Sequence, residues 1–303
     1  MSKKRVSVLI SAYCSYPFIA DCLESLRNQT FSDFETVVVN SSPEDRTQEL
    51  VRTGFPEVLF HQNPTRLLPG ASHNRGVEMS QGDLLAFIDP DCCAKPDWLA
   101  ELVAACDRGH PIVGGSMDVL KPTWLEIGQH LTKWHWILTG LPPRSCTNLP
   151  TSNMCLTRRV FEDSGPFDPD LYSSDGLLVW RACRKGYVPF FEPKAIVRHY
   201  HHETVQSFWR IRVERGREFA RQRIEWEGWS GLRIAAYLVF MPILPACVIL
   251  RAFRDCLRSG WLIPYFMTLP MQVLGHVGWS VGEAQTHLSV LIERGGAREK
   301  GSV

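Results

Sequence analysis

A chain of 303 residues is long enough for one large domain, or for a domain with an appendage. Its formal charge of +1 supplies no global basic field, which argues against a nucleic-acid partner. The ten cysteines form no Cys-x-x-Cys pair and no zinc-type Cys/His ladder, so they read as reduced, small apolar residues of a cytosolic protein; Cys92 and Cys93 are adjacent and poorly placed to chelate one ion together.

Behind the basic residues 1–5 the apolar run is short and enters a strand pattern, so no signal peptide is expected. Residues 6–10 predict a first strand. Tyr16-Pro17 opens a helix with Ile19, Cys22, Leu23 and Leu26 on one face, the proline sitting in its first turn. Val37-Val38-Val39 predicts a second buried strand. Ser42-Pro43-Glu44-Asp45 has the form of a capping box feeding a helix through Leu50. Residues 58–60 predict a third strand, and residues 70–80 a loop and short helix.

Residues 84–88 are apolar without interruption, which suits a strand of a parallel sheet covered on both faces by helices. Pro90 cannot donate a ladder hydrogen bond, so the strand stops there with Asp89 and Asp91 at its carboxyl end. In open α/β sheets, ligands bind outside those ends. Two oxygen ligands at that place suit a hard divalent cation, and the cation suits a phosphate. The same Asp-Pro-Asp is also good chemistry for a solvated turn. Pro96 and Asp97 start another helix, with Trp98, Leu99, Leu102, Val103 and Cys106 inward, and residues 112–115 predict a further strand. This alternation predicts an α/β chain with a doubly wound, mostly parallel, Rossmann-like sheet. No Gly-x-Gly-x-x-Gly and no P-loop follows any of these strands, so phosphate binding has to rely on a metal.

Val6-Ser7-Val8-Leu9-Ile10, Cys22-Leu23-Glu24-Ser25-Leu26-Arg27-Asn28-Gln29-Thr30, Phe34-Glu35-Thr36-Val37-Val38-Val39, His73-Asn74-Arg75-Gly76 and Asp89-Pro90-Asp91 occur in that order. Gly165-Pro166-Phe167-Asp168 follows, then Ser174-Asp175 with Trp180-Arg181 behind it. Together they resemble the family 2 glycosyltransferases with the GT-A fold, over roughly residues 5–205. The resemblance implies a GT-A domain over 1–225, with a nucleotide-sugar half at about 1–115 and an acceptor half at about 116–225. It implies a donor such as a UDP-, GDP- or dTDP-sugar and a Mg²⁺ or Mn²⁺ ion. Asp91 would be the direct metal ligand, with Asp89 nearer the ribose or the metal's waters. Asp175 matches the family's base, and displacement in one step would invert the anomeric carbon; as a residue, it equally suits an N-cap ahead of 177–184.

Ser11, Tyr13, Asn40, His73, Asn74, Asp89 and Asn153 fall at the family's donor-binding positions. His199, in Val197-Arg198-His199-Tyr200-His201-His202, falls where a histidine approaches the metal or diphosphate, although a lone histidine is more often a satisfied structural group. The chain also departs from the pattern. Asn40 replaces an acid that grips the nucleobase, and an amide donates as well as accepts. Ser174 replaces a glutamate, and His73 replaces an arginine. Residues 121–149, with Trp124, Trp134 and Trp136, would border the acceptor, and a packed helix explains them as well.

From Arg210 the composition changes. Arg210, Arg212, Arg215, Arg217, Arg221 and Arg223 interleave with Phe208, Trp209, Phe219 and Trp226, which reads as a membrane-surface helix or as a solvated helix face. Apolar segments follow at 234–250 and 260–282. The second meets the ~20-residue criterion for a span and the first is marginal. Arg251, Arg254 and Arg258 lie between them, and the positive-inside rule disfavours sending that connector across a bilayer. The expectation is an in-plane or re-entrant membrane hairpin within 226–290 and a polar tail at 291–303; two buried core helices are the alternative. The whole reads as an inverting, metal-dependent glycosyltransferase on the cytoplasmic membrane face with a glycan or lipid-linked acceptor. A sugar-nucleotide-binding scaffold without turnover is the alternative. A sugar-phosphate nucleotidyltransferase lacks its glycine-rich loop at residues 11–16.

Overall fold

The computed structural model describes residues 3–43 and 46–300, with side chains through residue 295. The chain divides into two compact units, Met1–Leu120 with Ile137–Tyr200, and Lys121–Trp136 with His201–Val303. The first unit opens with β1 (Val6–Ala12), α1 (Phe18–Arg27), β2 (Phe34–Asn40), α2 (Thr47–Gly54), β3 (Leu59–Gln62) and α3 (Pro69–Met79). It continues with β4 (Leu84–Ile88), β5 (Cys92–Ala94), α4 (Trp98–Asp107) and β6 (Ile112–Val119). After α5 (Trp124–Trp134), which belongs to the second unit, come β7 (Arg144–Ser145), β8 (Asn153–Thr157), α6 (Arg158–Ser164), α7 (Ser174–Arg184) and β9 (Phe190–His199). The capping box expected at residues 42–45 includes Glu44 and Asp45, which lie outside the described residues; α2 begins at Thr47.

The strands join in the order β3-β2-β1-β4-β8-β6-β9-β5, with β7 paired to β9. From β3 to β4 every pair is parallel, as the strand-helix alternation predicts. Beyond β4 the sheet is mixed: β8 runs antiparallel to β4 and β6, β9 runs parallel to β6, and β5 runs antiparallel to β9. All five residues of β4 are buried, the physical counterpart of its unbroken apolar run. α1 covers the sheet with Ile19, Cys22, Leu23 and Leu26, the spacing of one helix face. β6 outruns its expected four residues because β9 pairs along it to Val119, across a register shift between Gly115 and Ser116. A Cβ at Gly115 would lie 1.9 Å from the Ala195 carbonyl oxygen, so only glycine lets the strands approach there.

Leu9, Val39, Leu85, Phe87, Leu156, Phe167 and Leu178 pack into one core. His73 of α3 lies against it, 2% exposed, with ring centroids 5.1 Å from Phe87 and 5.5 Å from Phe167. Neither ring nitrogen has a hydrogen-bond partner among the described residues. Burial pushes the imidazole from its usual 6.5 to about 3.

The second unit is helical: α5, α8 (Val205–Glu227), α9 (Gly231–Phe240), α10 (Leu244–Ser259), α11 (Leu262–Met267) and α12 (Leu269–Lys300), with a 3₁₀ turn at Met241–Ile243. α8 and α12 cross with their backbones nearly touching. A Cβ at Gly216 would lie 2.2 Å from the Trp279 carbonyl oxygen, and one at Gly282 would lie 2.0 Å from that of Val213. Three arginines of α8 turn onto α12: Arg212 stacks over Trp279 at 4.5 Å, Arg217 donates to Gln285 at 2.6 Å and Arg223 pairs with Glu283 at 3.2 Å. α8 is thus not uniformly turned to solvent or membrane, since these three arginines lie against α12. The relative standing of the two apolar segments also reverses. Residues 260–282 break at Thr268: beyond it Met271, Gln272 and His276 are buried in packing, whereas Ile263 and Phe266 before it stay exposed. Gly231–Ser259 is the one helical run among the described residues long and apolar enough to cross a membrane.

The depressed His73 sets a pH dependence. The unfolded ring takes a proton near 6.5 and the folded ring only near 3, so stability present above pH 6.5 is lost as the pH falls through that window. The loss approaches 1.4 kcal/mol per pH unit for one proton, or about 2 kcal/mol between pH 6.5 and 5. Denaturant titrations of His73→Phe should show this loss reduced by about that amount; an unchanged acid limb would contradict the assignment.

Candidate metal and donor site

Asp89, Pro90, Asp91 and Cys92 form a tight turn, closed by the Cys92 N–H donating to the Asp89 carbonyl at 3.1 Å, with proline at its second position. Directly after it, β5 pairs with β9 so that Cys92 stands opposite His199. The Tyr200 N–H donates to the Asp91 carbonyl at 2.9 Å and extends the pairing by one step. His199 Nε2 therefore lies 3.4 Å from Asp91 Oδ1. The imidazole is nearly enclosed and the carboxylate about one-fifth exposed, so the pair opens to solvent on the carboxylate side. One ligand atom each from Asp89, Asp91, Cys92 and His199 lie within 4.8 Å of one another. That spacing and the mixture of carboxylate, imidazole and thiol suit a single divalent cation. Burial, with the charges of Asp91 and Asp89, pushes the Cys92 thiol well above its ordinary value.

Ser11, Tyr13 and Asn40 fall at the carboxyl ends of β1 and β2. In the order β3-β2-β1-β4, successive strands fill one side and then the other, and the reversal lies between β1 and β4. Ligand crevices form at such a point. Tyr13 is 40% exposed, with the Arg66 guanidinium 4.4 Å over its ring. Asn40 is fully buried; its Nδ2 donates to Gln62 Oε1 at 2.8 Å and its Oδ1 accepts from Ser42 Oγ at 2.9 Å. Ser42 Oγ in turn accepts from the Cys14 N–H at 2.6 Å, which fastens the loop after β1 to the end of β2. Where the family pattern has a charged acid, this chain has a neutral amide network.

Asp175 sits in the first turn of α7. Its carboxylate accepts from the Gly176 N–H at 2.9 Å and from the Thr151 N–H at 3.4 Å. The cap position itself is Ser173.

Three further expected donor residues are engaged in packing or in backbone bonds. His73 faces the aromatic core, because its phase on α3 points it at the sheet. Asn74 clasps a turn: its Nδ2 donates to the Phe167 carbonyl and its Oδ1 accepts from the Phe167 N–H, both at 2.9 Å. Asn153 is fully buried, accepting from Trp98 Nε1 at 2.8 Å and donating to the carbonyls of Ser116 and Ala195 at 2.9 Å each. Both amides act as structural clasps. Gln62 and Arg66 escaped the sequence reading, and Cys92 was weighed there only as a partner of Cys93; the available signal was its position directly behind the two aspartates.

Residues 7–164 match the family described as Glycosyl transferase family 2. Glycosyltransferase AglE of Haloferax volcanii is 31% identical over 193 residues, which are 60% of this chain and 62% of that protein. A glucosyl-dolichyl phosphate glucuronosyltransferase of the same organism is 27% identical over 177 residues, 54% of this chain and 56% of its own length. The chain thus spans less than two thirds of these relatives. Among solved structures, a mannosyltransferase from Pyrobaculum calidifontis in complex with GDP-Man and Mn²⁺ superposes with a TM-score of 0.61 at 17% identity, covering 93% of this chain and 88% of that one. The likeness establishes a shared GT-A fold.

Proposed function

Because the chain belongs to glycosyl transferase family 2, we propose that it moves a sugar from a nucleoside-diphosphate donor to a hydroxyl acceptor, with inversion at the anomeric carbon. The observation that carries this reading is the convergence of Asp89, Asp91 and His199 beside the ends of β1 and β2. Asp91 and His199, with Asp89 next to them, would hold a Mn²⁺ or Mg²⁺ ion, and the ion supplies charge neutralisation to the departing diphosphate. Tyr13, Ser11 and Asn40 would border the nucleoside. The GDP-Man and Mn²⁺ bound to the solved mannosyltransferase support this class of donor without fixing the base.

Asp175 is the proposed general base. Its two N–H donors orient the carboxylate, which takes the acceptor's proton. As the acceptor oxygen bonds to the anomeric carbon, the bond to the diphosphate oxygen breaks on the opposite side, and the configuration inverts.

The acceptor is proposed to be a glycan or lipid-linked molecule presented at the cytoplasmic face of a membrane. α9, α10 and α11 expose Leu232, Val239, Phe240, Leu250, Ile263 and Phe266. Arg251, Arg254 and Arg258 recur along one side of α10 and are exposed. An apolar face bordered by arginines suits an interface of anionic lipid, lying in its plane. The dolichyl phosphate in the name of one relative supports a lipid-linked acceptor.

With sugar nucleotides and Mn²⁺, wild-type protein should release nucleoside diphosphate once supplied with its acceptor. Asp91→Asn and Asp175→Asn should each lower turnover by about 10²-fold or more. Full turnover in either variant would remove the role given to that residue. In sedimentation with phosphatidylserine-containing vesicles, the protein should pellet, and charge reversal of Arg251, Arg254 and Arg258 should release it. Equal partition with all three reversed would refute the electrostatic part of the membrane reading.

A further inference from the structure

Cys92 has no part in the chemistry above, yet its sulfur belongs to the same four-atom cluster as Asp89, Asp91 and His199. Its position follows from the fold. The register that sets Cys92 opposite His199 delivers both side chains from one antiparallel pair, while the turn ending at Cys92 supplies the two carboxylates. Cys92 is fully buried, so its sulfur is held by strand packing. Cys22, also buried nearby, spends its thiol on the Asp89 carbonyl at 3.5 Å and is not in the four-atom cluster.

We infer that Cys92 is a ligand of the bound cation and biases the site towards Mn²⁺, Co²⁺ and Zn²⁺ over Mg²⁺. This rests on the metal site of the proposed function. Two atoms bound to one such ion, at about 2.0–2.3 Å each, lie no more than about 4.6 Å apart, which the observed spread of 4.8 Å meets with only a small contraction. Thiolate is a soft donor and favours the borderline ions Co²⁺ and Zn²⁺ most and Mn²⁺ less, whereas Mg²⁺ demands near-ideal octahedral oxygen coordination and takes thiolate least. Without the sulfur, Asp89, Asp91 and His199 would favour these ions over Mg²⁺ less strongly. The adjacent Cys93 cannot substitute, since side chains alternate along β5.

The test uses the full-length protein titrated with Co²⁺ in the presence of UDP or GDP, with bound cobalt counted by equilibrium dialysis. The wild type should develop a thiolate-to-cobalt charge-transfer band in the near ultraviolet. Cys92→Ser and Cys92→Ala should bind Co²⁺ without the band, and Mg²⁺ should displace it at concentrations lower by about tenfold or more. Cys22→Ser and Cys93→Ser should keep the band. Cobalt bound to wild type without the band, or a band unchanged in both Cys92 variants, would overturn the ligand role and leave the proposed transfer reaction standing. No bound cobalt with either nucleotide would overturn the ligand role together with the metal-dependent reading.

Discussion

The site depends on the antiparallel pairing of a three-residue strand with the end of a ten-residue one. β5 offers Cys92–Ala94, and β9 meets it at Val197, Arg198 and His199. That ladder converts two segments more than a hundred residues apart into neighbours, and it fixes which side chains face one another. With the Tyr200 N–H on the Asp91 carbonyl, the Asp-Pro-Asp turn is held by backbone bonds on both of its sides. A turn tethered only to β4 would leave the carboxylates free to swing, and a cation would have to pay their ordering entropy on binding.

β9 in turn needs its own position secured. Gly115 lets β6 and β9 approach across their register shift, and Asn153 ties β6, β9 and α4 through three buried hydrogen bonds. Buried amides with every bond made specify one arrangement of the strands, because any slip strands a polar group away from water. Asn74, half-buried, clasps the turn at Phe167 with one donated and one accepted bond. Two asparagines at positions the family pattern gives to the donor thus hold strands and a turn together.

Much of the first unit was legible in the sequence. β1, β2 and β4 are apolar runs of strand length, α1 has a clean apolar face, and Pro90 marks where β4 must stop. These are local signals. β5 was not legible, being three residues directly behind a turn, and its strand character exists only through β9. The mixed half of the sheet was hidden for the same reason, since pairing between segments far apart in the chain leaves no periodicity. His73 shows the limit of motif position: the helix phase turns it into the core. In the second unit, 260–282 looked like a span, but its Gly275, Gly278 and Gly282 are contact points for α8, and Arg212, Arg217 and Arg223 of α8 find their partners on α12.

The central claim is that strand pairing places an imidazole and a carboxylate on one cation. Pulsed electron paramagnetic resonance of Mn²⁺ bound with nucleoside diphosphate reads this directly through the coupling of the metal to ligand nitrogen. A histidine nitrogen coupling that disappears in His199→Ala, while Mn²⁺ stays bound, is the predicted result. Bound Mn²⁺ with no nitrogen coupling in the wild type, or a coupling that survives in His199→Ala, would contradict the account.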